Sequence, residues 1–64
     1  MNKRDFNSGK FDGNNAASFN NKPHTSWPRN KNNKIVHFNK DYAKGYIEGF
    51  KEATGIDLSH SFAF

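Results

Sequence analysis

The sequence predicts a small, mostly irregular α(+β) protein with a flexible basic N-terminal arm, one short strand, one amphipathic helix and an extended C-terminal tail. Only 33% of its 64 residues are hydrophobic, against roughly 45–50% apolar residues, glycine included, in ordinary soluble domains. Positive charge is concentrated in the first half of the chain, and sustained helical periodicity is confined to the second half. A chain of this length forms at most one small domain.

Residues 1–34 are predicted to form the flexible basic arm. They carry seven Lys or Arg against two Asp, a net charge of +5, and hold 7 of the 21 hydrophobic residues. Pairs such as Ser8-Gly9 and Gly13-Asn14 are typical of turns, and the phenylalanines follow neither a helical nor a strand period. We therefore expect no sustained helix or strand in this arm.

A short strand is predicted at the start of residues 35–64, which we interpret as a minimal helical interaction module. The run KIVHF at 34–38 is rich in β-branched and aromatic residues, and its alternation places Val36 and Phe38 on one face. The module carries three Lys against four acidic residues, a net charge of −1. Its few large apolar side chains do not offset the entropy of ordering the segment, so we expect a partner or self-association to stabilise it.

An amphipathic helix is predicted at about 40–54, with Asn39 as its N-cap and Gly55 as its C-terminal stop. Gly45 and Gly49 each cost about 1 kcal/mol relative to alanine in a helix interior. Both lie on the flank of the aromatic stripe, where their missing side chains would let a partner approach closely. Alternating apolar residues then predict the extended tail. The predicted protein-binding residues belong to the stripe and the tail: Tyr42, Gly45, Tyr46, Ile47, Gly49, Phe50, Phe62 and Phe64.

A basic stretch around the single tryptophan is the candidate contact for nucleic acid or another acidic surface. Lys and Arg neutralise phosphates, and an aromatic ring offers unpaired bases a stacking surface. One alternative is a solvated linker whose tryptophan packs on the C-terminal half. Another is that Trp27 and Arg29 anchor the chain in a protein groove. The residues of the candidate contact are Lys22, Trp27, Arg29, Lys31 and Lys34.

Neither catalysis nor metal binding is predicted. The chain has no cysteine, and its three histidines lie too far apart for the spacing of a zinc site. No nucleophile, base and orienting group are placed to converge, and too little chain exists to enclose a substrate pocket. We expect no enzymatic activity, no catalytic residue, no cofactor and no metal.

The sequence contains no membrane-spanning stretch and no secretion signal, which predicts a cytoplasmic protein without a membrane partner. Residues with AT-rich codons are abundant, which suggests a phage or another mobile element and hence the host cytoplasm. The leading hypothesis is a non-enzymatic regulator or inhibitor that docks its helix and aromatic tail on a larger host protein or nucleoprotein machine. The alternatives are a nucleic-acid-binding protein that uses the basic arm, and a small structural component of a particle.

Overall fold

Two packed helices dominate the computed structural model, which describes residues 2–19 and 27–63. Helix α1 spans Lys3–Phe19 and helix α2 spans Lys40–Thr54. The prediction of a mostly irregular α(+β) fold with one helix and one strand is therefore wrong. The first part of the segment predicted to be a flexible arm is helix α1.

Helix α1 forms in a segment whose glycines and asparagines favour turns in isolation. Asn2 caps its first turn, because its side-chain oxygen accepts hydrogen bonds from the N–H groups of Arg4 at 3.0 Å and Asp5 at 3.2 Å. Gly9 and Gly13 are buried against α2. Tertiary packing routinely overrides intrinsic propensity, and here it outweighs the low helix propensity of glycine and asparagine.

Helix α2 coincides with the helix predicted at about 40–54. Asn39 caps it by accepting a hydrogen bond from the Tyr42 N–H at 3.1 Å. Gly55 ends it with a φ of 80°, a left-handed conformation that glycine adopts without steric cost. The Gly55 N–H donates to the Lys51 carbonyl at 2.6 Å, which satisfies one carbonyl of the last turn.

The two helices run in the same direction and touch through their backbones. A Cβ atom on Gly9 would lie 1.9 Å from the carbonyl oxygen of Tyr42, and one on Gly13 would lie 2.2 Å from that of Tyr46. Residues later in α1 contact residues later in α2, so the two helices are parallel. Small residues spaced by four let helix backbones approach closely. On α2, Gly45 and Gly49 make the same kind of close contact with the backbone of α1.

The segment predicted as a strand, 34–38, makes isolated bridges rather than a ladder. Ile35 pairs with Arg29 in antiparallel orientation and with Phe62 in parallel orientation. Across the described part of the chain, no strand forms. The strand prediction is wrong because each neighbouring segment contributes a single bridge, which is too short a pairing to build a sheet.

Side chains of this segment still alternate between the core and solvent. Ile35 is 1% exposed, whereas Val36 is 41% and Phe38 is 96% exposed. The predicted extended tail is also wrong in part, because it contains a one-turn 3-10 helix at Ser59–Ser61. We refer to this element as the C-terminal turn.

The hydrophobic core joins α2 to the segments on either side of it. Tyr46 and Phe50 of α2 and Ile35 before it are its largest fully buried side chains. Leu58 and Phe62 join it from beside the C-terminal turn, and the small side chains of Ala16 and Ala17 join it from α1. Neither described helix is both long and apolar enough to cross a lipid bilayer.

Candidate nucleic-acid interface

The cations of the predicted basic stretch lie on a structured loop, residues 28–36, which we call the basic loop. Two backbone hydrogen bonds close it. The Val36 N–H donates to the Pro28 carbonyl at 2.8 Å, and the Asn30 N–H donates to the Lys34 carbonyl at 2.9 Å. The cations of the loop are all exposed: Arg29, Lys31 and Lys34.

Asn30 organises the tip of the basic loop. Its side-chain oxygen accepts hydrogen bonds from the N–H groups of Asn32 at 2.9 Å and Lys34 at 3.0 Å. Its carbonyl accepts a third from the Asn33 N–H at 2.9 Å. Asn33 has a φ of 63°, a left-handed conformation that asparagine tolerates better than most residues. These bonds define the backbone from which the loop cations project.

Two of the loop cations also donate to backbone carbonyls. Arg29 Nη1 donates to the Asn33 carbonyl across the loop at 3.0 Å, and Lys34 Nζ donates to the His60 carbonyl. The Ile35 N–H donates to the Ser61 carbonyl at 2.8 Å, which holds the base of the loop against the C-terminal turn. A carbonyl does not neutralise a cation, so the loop presents its positive charge in a defined place.

Several acidic side chains are engaged by residues of the two helices or next to them. No acidic residue occurs in the sequence between Asp12 and Asp41, so the loop itself carries only positive charge. Asp5 accepts from Asn39 Nδ2 at 2.9 Å, Asp12 accepts from the Tyr42 hydroxyl, Asp41 accepts from the Asn2 N–H at 3.0 Å, and Glu52 pairs with Lys10 at 3.0 Å.

Asp57 is the acidic residue beside the C-terminal turn that supports the loop. The Ser59 N–H donates to Asp57 Oδ1 at 2.9 Å. Hydrogen bonds from the Ser59 backbone and side chain, with smaller contributions from Lys51 and His60, hold the pKa of Asp57 below its usual range. Asp57 is therefore ionised at neutral pH and offsets part of the positive charge near this turn.

Trp27, predicted to contact nucleic acid, is half-buried in an aromatic cluster. Its ring centroid lies 4.6 Å from that of His37, 4.9 Å from that of Tyr46 and 5.9 Å from that of Phe62. The tryptophan thus packs on the C-terminal half and anchors the start of the basic loop. Lys22, the remaining member of the predicted contact, lies outside the described residues.

The predicted protein-binding stripe of α2 faces α1 and the core. The close approach expected at its glycines is made by α1 of the same chain. Phe62 is buried beside Ile35, and Phe64 lies outside the described residues. The helix residues of the stripe are buried at Gly45, Tyr46, Gly49 and Phe50, and half-buried at Tyr42 and Ile47.

Phe38, the most exposed large hydrophobic side chain among the described residues, was not among the predicted site residues. Its ring stacks on His37 with a centroid distance of 4.6 Å and an interplanar angle of 20°. His37 in turn stacks on Tyr42 at 5.1 Å and 18°. The sequence signal was the alternation of the KIVHF run, which placed Phe38 on the face opposite the buried Ile35.

Helix α1 presents two further exposed aromatic side chains, Phe11 at 67% and Phe19 at 83% exposure. Phe11 borders a shallow cleft of about 310 Å³ between α1 and α2. The other residues that line this cleft are polar or charged: Asn7, Lys10, Asn14, Asn15 and Glu52.

Within residues 2–19 and 27–63, no group of His, Asp and Glu side chains converges to hold a metal ion. The described surface instead offers a positively charged loop and, two residues beyond that loop, an exposed aromatic ring. Comparison with known protein families, curated proteins and solved structures gives no significant match to this chain.

Proposed function

We propose that this protein is a non-enzymatic nucleic-acid-binding protein that contacts phosphates through the basic loop, as part of a larger nucleoprotein complex. The observation that carries the proposal is the hydrogen-bonded loop tip around Asn30, from which exposed cations project. A preformed loop loses less conformational entropy on binding than a flexible arm does. The cations are therefore placed to neutralise phosphates at a low ordering cost.

Charge distribution supports the same class of partner. The chain carries a formal net charge of +4, and the basic loop contains none of the acidic residues. Binding of Lys and Arg to phosphates releases condensed counterions, which is the main source of affinity in sequence-independent nucleic-acid binding. A small protein with a fixed basic loop can use this source of affinity without a large interface.

Burial of the α2 stripe favours the basic loop over α2 as the binding surface. Docking Tyr46 or Phe50 into a partner would require the hydrophobic core to open, because both side chains are fully buried in it. The glycines of the stripe are in turn covered by the backbone of α1. The loop is exposed in the folded chain and needs no such rearrangement.

The test is a fluorescence anisotropy titration of labelled RNA and DNA oligonucleotides with the double variant Arg29→Gln/Lys31→Gln. Loss of two phosphate contacts should weaken binding. It should also make the slope of the logarithm of the association constant against log[salt] less negative, by about 1.4 for single strands. Lys34 is retained because its ammonium donates to the His60 carbonyl and so joins the loop to the C-terminal turn, whereas the Arg29 hydrogen bond to the Asn33 carbonyl lies within the loop.

The matched control is Lys44→Gln/Lys51→Gln, which removes the same charge from exposed positions of α2. We expect this control to reduce affinity less and to leave the salt slope near that of the natural chain. Equal losses in the two double variants would show that net charge alone drives binding. No binding by the natural chain to any oligonucleotide at low salt would contradict the proposal itself.

A second candidate function is docking on a protein partner, which the outward-facing Phe11 and Phe19 of α1 favour. Exposed aromatic side chains are enriched at the centres of protein interfaces. An affinity pulldown with and without nuclease separates the two functions. A partner retained after nuclease treatment but lost in Phe11→Ser/Phe19→Ser would support protein docking, whereas loss on nuclease treatment alone supports nucleic-acid binding.

A further inference from the structure

Phe38 exposes an aromatic ring at the end of a stack of three rings. Phe38 is 96% exposed. Its ring is nearly parallel to that of His37, which is nearly parallel to that of Tyr42, with interplanar angles of 20° and 18°. Burial of a phenylalanine side chain is strongly favourable, and Phe38 gains little of this stabilisation in the folded chain. Its ring lies at the surface, stacked on that of His37.

The support beneath Phe38 is held from several sides. The His37 ring packs against Trp27 at a centroid distance of 4.6 Å, and its Nδ1 accepts a hydrogen bond from the Asn39 N–H at 3.0 Å. Tyr42, the next ring of the stack, donates its hydroxyl to Asp12 of α1. The platform on which Phe38 rests is thus tied to both helices and is preorganised.

Cationic side chains lie on both sides of Phe38 along the chain. Lys34 of the basic loop is exposed four residues before it. Lys40, two residues after it, is exposed in the first turn of α2. The neighbouring acid of that turn, Asp41, accepts the Asn2 N–H at 3.0 Å. An exposed ring flanked by cations matches the chemistry of single-stranded nucleic acid, in which bases stack on aromatic rings while phosphates meet Lys and Arg.

We propose that Phe38 is a stacking platform for an unpaired nucleobase, so that the nucleic acid bound by the basic loop is single-stranded. This inference rests on the proposed nucleic-acid binding and adds the class of strand that is bound. A paired base in a duplex has both faces covered by its neighbours, whereas an unpaired base can continue the stack of Phe38, His37 and Tyr42. Stacking of this kind is tolerant of sequence, because every base has a π-face.

The experiment compares Phe38→Ala with the natural chain in anisotropy titrations of three labelled probes of about 12 nucleotides: oligo-U, oligo-dT and a mixed-sequence DNA duplex. We expect Phe38→Ala to lose about tenfold in affinity for both single strands, to keep their salt slope and to leave duplex binding unchanged. Phe38→Trp should retain or strengthen single-strand binding. Oligo-U and oligo-dT together distinguish an RNA preference from a general single-strand preference.

The matched control is Phe19→Ala, which removes a ring of 83% exposure from the far end of the parallel helix pair. Fluorescence of Trp27, the single tryptophan of the natural chain, reports whether the aromatic cluster stays intact in each alanine variant. Unchanged single-strand affinity in a folded Phe38→Ala variant, or an equal loss for duplex, would overturn the stacking inference while leaving the basic-loop proposal standing. Failure of the natural chain to bind any probe would overturn both.

Discussion

Gly49 of α2 and Lys10 of α1 are in direct backbone contact: a Cβ atom on Gly49 would lie 2.0 Å from the carbonyl oxygen of Lys10. The same relation holds in reverse for Gly13 of α1 and Tyr46 of α2, at 2.2 Å. No flexible side-chain end is available to move at these points. The glycines are therefore required by the distance between the two helix axes, which explains their presence in helices that they weaken intrinsically.

Gly49→Ala should destabilise the protein by about 1–3 kcal/mol, the usual range for overpacking a close contact. Helix propensity alone predicts the opposite effect, an increase of about 1 kcal/mol in the free energy of unfolding. Urea denaturation followed by helical circular dichroism measures the difference. Ser8→Ala at an exposed position of α1 is the control and should be neutral or slightly stabilising. A Gly49→Ala variant more stable than the natural chain would contradict the backbone contact.

Helix α1 was not predicted because glycine and asparagine were interpreted residue by residue as turn formers. The informative signal was a correspondence between distant segments: Gly9 and Gly13 repeat the spacing of Gly45 and Gly49. Glycines four residues apart lie on one face of a helix. They indicate close packing only where a second helix covers that face. Propensity and periodicity within a single sequence window contain no information about such a packing partner. The caps and length of α2, in contrast, depend on local sequence and could be predicted.

The candidate site could be predicted in composition but not in geometry. Sequence identified the cations of the basic stretch, yet it could not place Asn30, whose side chain bonds to backbone N–H groups up to four residues away. For Trp27 the sequence left several interpretations open, including contact with nucleic acid and packing on the C-terminal half, and the structure places its ring beside His37 and Tyr46. Which aromatic ring remains exposed depends on the burial of its neighbours, and this is settled only by tertiary packing.

Tyr42→Phe should lower stability by about 1–2 kcal/mol near neutral pH, because the phenol hydroxyl donates a hydrogen bond to the Asp12 carboxylate. Burial, and then the hydrogen bond and charge of Asp12, raise the pKa of Tyr42 well above its ordinary value. The folded state thus holds the phenol proton more tightly than the unfolded state. The contribution of Tyr42 is complete below about pH 10, the ordinary tyrosine pKa, and is lost as the pH rises further.

The measurement for Tyr42 is the difference in free energy of unfolding between the natural chain and Tyr42→Phe as a function of pH. Taking the difference cancels the titration of lysines, which occurs in the same alkaline range. We expect the difference to shrink above about pH 10. Asp12→Asn keeps an oxygen acceptor but removes the charge, so it should lose less stability than Tyr42→Phe. A constant difference through this pH range would show that the folded state does not hold the phenol proton more tightly, and superimposed curves would show that the hydroxyl contributes nothing.

Asn39→Ala should cost about 2 kcal/mol, because Asn39 both caps α2 and bonds to Asp5 of α1. Asn39→Ser retains a capping oxygen without the amide donor and should recover about half of that loss. Asn39→Asp also retains the cap, but it places a second carboxylate beside Asp5. Its stability should therefore fall below that of Asn39→Ser at neutral pH. Urea denaturation makes this comparison, and equal stability of the Ser and Ala variants would exclude the capping role.

Asn30→Ala tests the basic loop without changing its charge. The variant loses the side-chain oxygen that accepts from the Asn32 and Lys34 N–H groups, so hydrogen exchange at these two amides should accelerate while exchange in α2 stays the same. Ordering a loosened loop on binding costs about 1 kcal/mol per fixed residue, which predicts about a fivefold loss of oligonucleotide affinity with an unchanged salt slope. Asn14→Ala, at an exposed position of α1, is the matched control. Unaltered exchange at the Lys34 amide would show that Asn30 does not hold the tip, whereas faster exchange with full affinity would show that loop order is not what the nucleic acid requires.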